Sequence, residues 1–287
     1  MDIRDSAATL ELIREHRPDV VIHLAAQVAV THSIENPRWD FEVNALGTFN
    51  LLEAIRLEKR DAIFLNASTN KVYGNLEHLR VKKVGERYQY ADLQWGVDES
   101  CPLDFHSPYG CSKGAADQYV LDYARTYGMR TTSFRQSCIY GPGQLGEEDQ
   151  GWVAWFCIAA LLGKPITIYG DGCQVRDLLY IDDLTRLYCR AVERIDQISG
   201  KPFNVGGGPK NTLSLLELLA FLRDELKQPL PSIQFAPARL GDQRVFICDI
   251  RRAQKELEWE PVIPPKVGVT RLYQWLLENR ELFEDWV

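Results

Sequence analysis

The chain has 287 residues, 45% of them hydrophobic, enough for one large or two modest cores. Forty acidic against thirty-three basic residues give a net charge of -7, and no basic stripe marks a nucleic-acid surface. Seven cysteines, an odd number with no Cys-x-x-Cys pair, read as reduced thiols and not as a disulfide framework or zinc site. No apolar run is long enough to span a membrane and no signal-peptide pattern opens the chain, which predicts a cytoplasmic protein without metal, membrane or nucleic-acid partners.

Met1 to Asp5 run straight into a helical pattern carrying Leu10, Leu12 and Ile13, and Asp19 to Ala26 then reads as a buried parallel strand. Pro37 to Leu57 predicts a long helix with apolar Trp39, Val43, Leu46, Leu51 and Ile55, interrupted by Gly47. Asp61 to Ala67 is the next strand, followed over 75–105 by a long polar stretch. A loop of that length in an enzyme tends to be functional, so it is expected over the substrate site. A helix from Pro108 to Tyr127 and a strand from Thr131 to Ser137 follow. Strand and helix alternate throughout, which predicts an α/β protein with a doubly wound parallel sheet.

After Gln150 the pattern changes. Helices are expected over 152–162, 182–195, 213–226, 250–257 and 267–283, with short strands at 166–169 and 203–205. Gly141-Pro142-Gly143-Gln144-Leu145-Gly146 matches Gly-x-Gly-x-x-Gly but leads into Glu147-Glu148-Asp149, which would put negative charge where a pyrophosphate binds. It is read as a turn between domains.

The chemistry concentrates at Ser107-Pro108-Tyr109-Gly110-Cys111-Ser112-Lys113. Four residues apart at the start of a helix, Tyr109 and Lys113 share a face, one turn apart. An ammonium beside a phenol favours the phenolate, so the pair can supply a general base. The spacing alone is a weak signal. It gains weight from Asn66-Ala67-Ser68-Thr69-Asn70-Lys71-Val72-Tyr73-Gly74 at the end of an apolar run and from Arg176-Asp177-Leu178-Leu179-Tyr180-Ile181-Asp182-Asp183 downstream.

With these motifs the chain resembles, along its whole length, the extended short-chain dehydrogenase/reductases that epimerise or dehydrate nucleotide sugars. Asp149-Gln150-Gly151-Trp152-Val153, with Trp155-Phe156-Cys157, points to the branch that inverts C2 of CDP-linked sugars for surface polysaccharides such as lipopolysaccharide O-antigen. The resemblance implies a Rossmann-like domain over 1–149 with 177–205 returning to it, and an interleaved substrate lobe over 150–176 and 206–287. It also implies that the first strand, glycine loop and helix of the fold would precede Met1, roughly 50–60 residues; a late start or a fragment is expected.

NAD is the implied cofactor. By resemblance Tyr109 is the acid/base, Lys113 holds the nicotinamide ribose and Thr69 bonds the reacting oxygen. Asp2 and Ile3 would meet the adenine, Leu24, Ala25, Ala26, Gln27 and Asn44 would line the cofactor, and Gln136 and Ser137 would flank the nicotinamide. For a nucleotide-diphosphate sugar, Arg176 and Arg239 match phosphate-binding arginines, with Arg244 a further candidate, and Tyr169 is either a base-stacking ring or a core aromatic. Dehydratases of the family carry an acidic pair where this chain has Asn70-Lys71, and an amide cannot shuttle the required protons. Epimerisation is therefore expected, at C2 or at another carbon, with an inactive nucleotide-sugar-binding fragment as the alternative. Cys138 stands where many relatives bind substrate through asparagine. The helices at 37–57 and 108–127 match those that pair in family dimers, so a homodimer or homotetramer is expected.

Overall fold

The computed structural model describes residues 1–58, 61–239 and 242–283. Strands Val20–His23, Ile63–Thr69, Thr131–Gln136 and Pro202–Val205 form one sheet in that spatial order, all parallel. Parallel neighbours need crossovers, and helices Gly47–Leu57, Ser107–Tyr127 and Ile181–Glu193 lie within them. Side chains alternate across the sheet. Phe64 packs with Ile13, Leu52, Ile55 and Val120 on one face, while Leu65, with Phe134 and Phe203, packs with Leu187 and Trp259 on the other.

The first strand is shorter than the apolar run predicts. Pairing stops at His23, and Leu24 and Val28 beyond it are 60% and 48% exposed. The long helix also differs in detail. Pro37–Phe41 and Gly47–Leu57 are α-helical, and Glu42–Leu46 between them is a π-helical turn. Gly47 does not interrupt it. Its missing side chain instead admits Ile3, whose Cδ1 lies 2.5 Å from where a Cβ would stand.

Residues 75–105 are not a bare loop. They hold a hairpin, Val81–Val84 with Arg87–Tyr90, and contribute Leu76, Tyr90 and Val97 to a core with Val175 and Phe246. This corrects the expectation of a cover over the substrate site, because the segment is part of the second lobe's packing. In that lobe Val175–Tyr180 pairs with Thr212–Ser214, Val245–Phe246 and Cys138–Tyr140, and Ile166–Tyr169 pairs with Ile233–Ala236. The helix Trp152–Leu162 is apolar on all sides because helices Leu215–Asp224 and Pro265–Glu278 pack around it.

Ser137 is the crossing point between the two sheets. Its N–H still donates to Val205 O, and its hydroxyl donates to Asp177 in the second sheet's strand Val175–Tyr180. Gln136 and Cys138 are thus held on either side of the junction. Among the described residues no helix is long and apolar enough to cross a membrane and no cluster of side chains could hold a metal.

One buried ion pair ties the sheet to the 107–127 helix. Arg135 donates to Asp117 at 2.9 Å, the two side chains are 4% and 0% exposed, and the Tyr73 hydroxyl accepts from the same guanidinium. Arg135→Met should cost about 3–5 kcal/mol, since it leaves the Asp117 carboxylate buried without its partner. Chemical denaturation of the two proteins measures this directly.

Candidate active site

Ligands bind beyond the carboxyl ends of strands in open parallel sheets, and here Ile63–Thr69 and Thr131–Gln136 run out into a cleft of about 570 Å³. Leu24, Ala26, Thr69, Asn70, Tyr109, Lys113, Gln136, Ser137 and Cys138 line it together. The 141–146 glycine turn, read as a mere linker, forms part of its wall through Gly141, Gly143 and Gln144. No helix starts from that turn.

Pro108 and its neighbours place the catalytic candidates. The helix opens at Ser107, in a left-handed conformation with φ 64°, so Tyr109 and Lys113 project from its first turns. Both are buried, 8% and 4% exposed. The Tyr109 phenol and the Thr69 hydroxyl line the cleft together, and that hydroxyl caps the following turn by accepting from Lys71 N at 3.2 Å. Lys113 Nζ donates to Ala67 O at 2.6 Å.

Beneath this pair lies a network that the sequence motifs did not disclose. Ser112 Oγ donates to Asp40 at 2.5 Å, and Asn44 Nδ2 reaches Asp40, Ser112 and the Gln27 carbonyl. Gln27 N donates back to Asn44 Oδ1 at 2.9 Å. Asn44 and Gln27 therefore brace the cleft floor from behind. A buried Asp–Asn–Ser array at helix spacing carries no sequence signature of its own, although Ser112 sits inside the Tyr109 motif.

The site does not favour the phenolate that the spacing predicts. Burial pushes Tyr109 up to about 12, with the Asp40 charge adding to it and the Thr69 hydroxyl opposing. Burial also pulls Lys113 down to about 8, against Asp117 and Asp40. Desolvation is the largest effect on both groups, and the ammonium is turned to the Ala67 carbonyl.

On the opposite wall, Cys138 Sγ accepts a hydrogen bond from Trp152 Nε1 at 3.3 Å, and Lys71 stands beside it. Gln136 Nε2 is bonded to Tyr188 at 2.6 Å. Two buried polar atoms at the site, Ser68 Oγ and Gln27 Oε1, have no protein partner.

The other sequence candidates stand outside this lining. Asp2 is paired with Arg4 at 2.5 Å, Ile3 packs against Gly47, and Ala25 does not reach the cleft. Arg176 donates to Asp242 at 2.6 Å. Arg239 is paired with Asp149 and lies 3.9 Å above the Tyr169 ring, so that ring face is taken by a guanidinium. Arg244 rests 5.6 Å from the Tyr88 ring centre. Asp149 also lines the cleft and accepts from Thr31 Oγ1 at 2.9 Å, joining both lobes at its mouth.

A profile of the NAD dependent epimerase/dehydratase family matches residues 1–206. The chain belongs to that family. Within the family, a CDP-paratose 2-epimerase of Salmonella typhi is 47% identical over 279 residues, covering 96% of this chain and 82% of that protein. A dTDP-glucose 4,6-dehydratase of Xanthomonas campestris pv. campestris is 32% identical, over 97% of this chain and 78% of its own. Among solved structures, the UDP-glucose 4-epimerase of Thermus thermophilus in complex with NAD superposes with a TM-score of 0.82 at 30% identity, over 97% of this chain and 84% of that one. The Thermotoga maritima UDP-glucose 4-epimerase with UDP-glucose gives 0.83 at 29%, over 98% and 84%.

NAD is the family's cofactor, and the cleft fits its nicotinamide end. A cationic Lys113, the Tyr109 hydroxyl and the unpartnered Ser68 Oγ converge where a ribose and a carboxamide need donors and acceptors.

Proposed function

We propose that this chain is an NAD-dependent CDP-sugar 2-epimerase, interconverting CDP-paratose and CDP-tyvelose. The observation that carries the reading is the Thr69–Tyr109–Lys113 constellation in a cleft whose next wall residues are Asn70 and Lys71 in place of an acidic pair. Neither carries a carboxylate for dehydration. The 47% identity to a CDP-paratose 2-epimerase supports the choice of carbon and base.

NAD, when bound, would supply hydride transfer from and to the sugar carbon. Tyr109 takes the proton of the C2 hydroxyl and returns it after the sugar has turned. Thr69 holds that oxygen by hydrogen bond, and Lys113 holds the nicotinamide ribose and supplies positive charge beside the phenol. Leu24, Ala26 and Gln136 shape the cofactor's side of the cleft, Gln27 and Asn44 brace it from behind with Ala25 in the backbone between, and Asp2 and Ile3 stand at the adenine end. Asn70 and Cys138 face the sugar. Arg176, Arg239 and Arg244 serve the diphosphate, for which the first two must exchange Asp242 and Asp149 for phosphate oxygens. Tyr169 serves the base.

The protein works in the cytoplasm as a homodimer or homotetramer. Exposed Phe41, Tyr119 and Tyr127 on the paired helices support that assembly.

Incubation with NAD and CDP-paratose, followed by NMR of the sugar H1 and H2 signals, tests the reading. Appearance of the C2 epimer is expected. Conversion of UDP-glucose at C4 with CDP-paratose left intact would overturn it.

A further inference from the structure

Lys71 is a second cation of the cleft, on the wall beyond Thr69, that the catalytic roles of Tyr109 and Lys113 do not use. It lines the same cleft as Thr69 and Tyr109, and its side chain faces Cys138, Arg176 and Asp242. Arg176 is held by Asp242 at 2.6 Å, while among the described residues no carboxylate lies within ion-pair distance of the Lys71 ammonium. Two cations thus share one carboxylate beside the strand end that carries Thr69. The neighbouring Cys138 thiol already accepts the Trp152 indole N–H and is a poor donor, so the positive charge this wall offers an anion is Lys71, with Arg176 outside the lining.

The chemistry of the proposed reaction supplies the anion. In an NDP-sugar the β-phosphate is attached to C1. When C4 reacts, that phosphate lies across the whole pyranose ring from the acid/base. When C2 reacts, the phosphate sits on the carbon next to the reacting one and must lie close to Thr69 and Tyr109. A C2 enzyme therefore needs a cation on the wall that adjoins Thr69, where an acidic pair would repel the phosphate.

We propose that Lys71, together with Arg176, is the β-phosphate subsite that fixes the reaction at C2. This deepens the 2-epimerase reading and rests on it for the reacting carbon. Burial and the neighbouring guanidinium depress the basicity of Lys71, a strain that an anion placed between the two cations relieves. Close approach of the phosphate also sets the pivot about which the ketone turns, since the C1–O bond is the nearest rotatable link to C2.

The test compares CDP with CMP, which lacks the β-phosphate. By titration calorimetry on the full chain, Lys71→Met should weaken CDP binding about 10-fold and leave CMP binding unchanged, while Lys71→Arg keeps most of the CDP affinity. Unchanged CDP binding in Lys71→Met would overturn the proposal. An equal fall for CDP and CMP would overturn it too, by showing a structural role. UDP and dTDP, each against its monophosphate, are run beside them. If wild type prefers one of these, the CDP assignment fails and the diphosphate-to-monophosphate difference for that nucleotide still decides the role of Lys71.

Discussion

Tyr109→Phe should lower kcat for epimerisation by about 10²–10⁴-fold and leave the fold intact. The phenol is 8% exposed and its ring packing survives the change, so a circular dichroism spectrum and Tm near those of wild type are expected. What is lost is the group positioned against Thr69 to take and return the proton. Burial pushes Tyr109 up to about 12, well above neutral pH. Ionisation of the phenol thus needs positive charge turned toward it, which Lys113 on the same helix can supply. Wild-type kcat/KM should rise with pH in the alkaline direction as the phenol ionises. A Tyr109→Phe enzyme with wild-type kcat would remove the residue from the mechanism.

Lys113→Met should do two opposite things, abolishing turnover and stabilising the ligand-free protein. The side chain is 4% exposed, and burial lowers its pKa from 10.5 to about 8. Between those values the unfolded chain holds a proton that the folded chain has released, so wild-type stability rises with pH from about 8 to 10.5. Below pH 8 the cost of the buried charge is present in full, about 3 kcal/mol at most. Removing the ammonium relieves it but strands the Ala67 carbonyl, a loss of about 1 kcal/mol. The net expectation at pH 7 is a gain of about 2 kcal/mol, or roughly 4 °C in Tm, that fades as pH approaches 10.5. Calorimetric scans of both proteins from pH 7 to 10.5 measure it. A variant less stable than wild type at pH 7 would mean the ammonium contributes more through Ala67 than burial costs it.

Much of this was legible in the sequence because it rests on local spacing. Tyr109 and Lys113 fall on one helix face by arithmetic, Thr69 ends an apolar strand run, and the 152–162 helix shows its burial in its composition. The strands of the second lobe were harder to see. Val175–Tyr180 and Cys138–Tyr140 pair with each other across forty residues, and each reads as a motif or a short apolar tail until its partner is known. The hairpin inside 75–105 was hidden for the same reason, its strands being polar and only four residues long. Long-range electrostatics were not legible at all. Nothing in the order of residues reveals that Asp149 holds Arg239 and Asp242 holds Arg176, or that desolvation, and not the neighbouring ammonium, sets the Tyr109 ionisation. Those are properties of chain segments that meet only after folding.

The central claim is that C2 is oxidised and reduced in place with the hydrogen kept inside the site. CDP-paratose deuterated at C2, incubated with the chain and NAD in ordinary water, tests it most directly. CDP-tyvelose with the deuterium still on C2 is the expected product. Product that has exchanged its C2 deuterium for solvent hydrogen would contradict it, because inversion would then run through loss of a proton from carbon and not through hydride transfer.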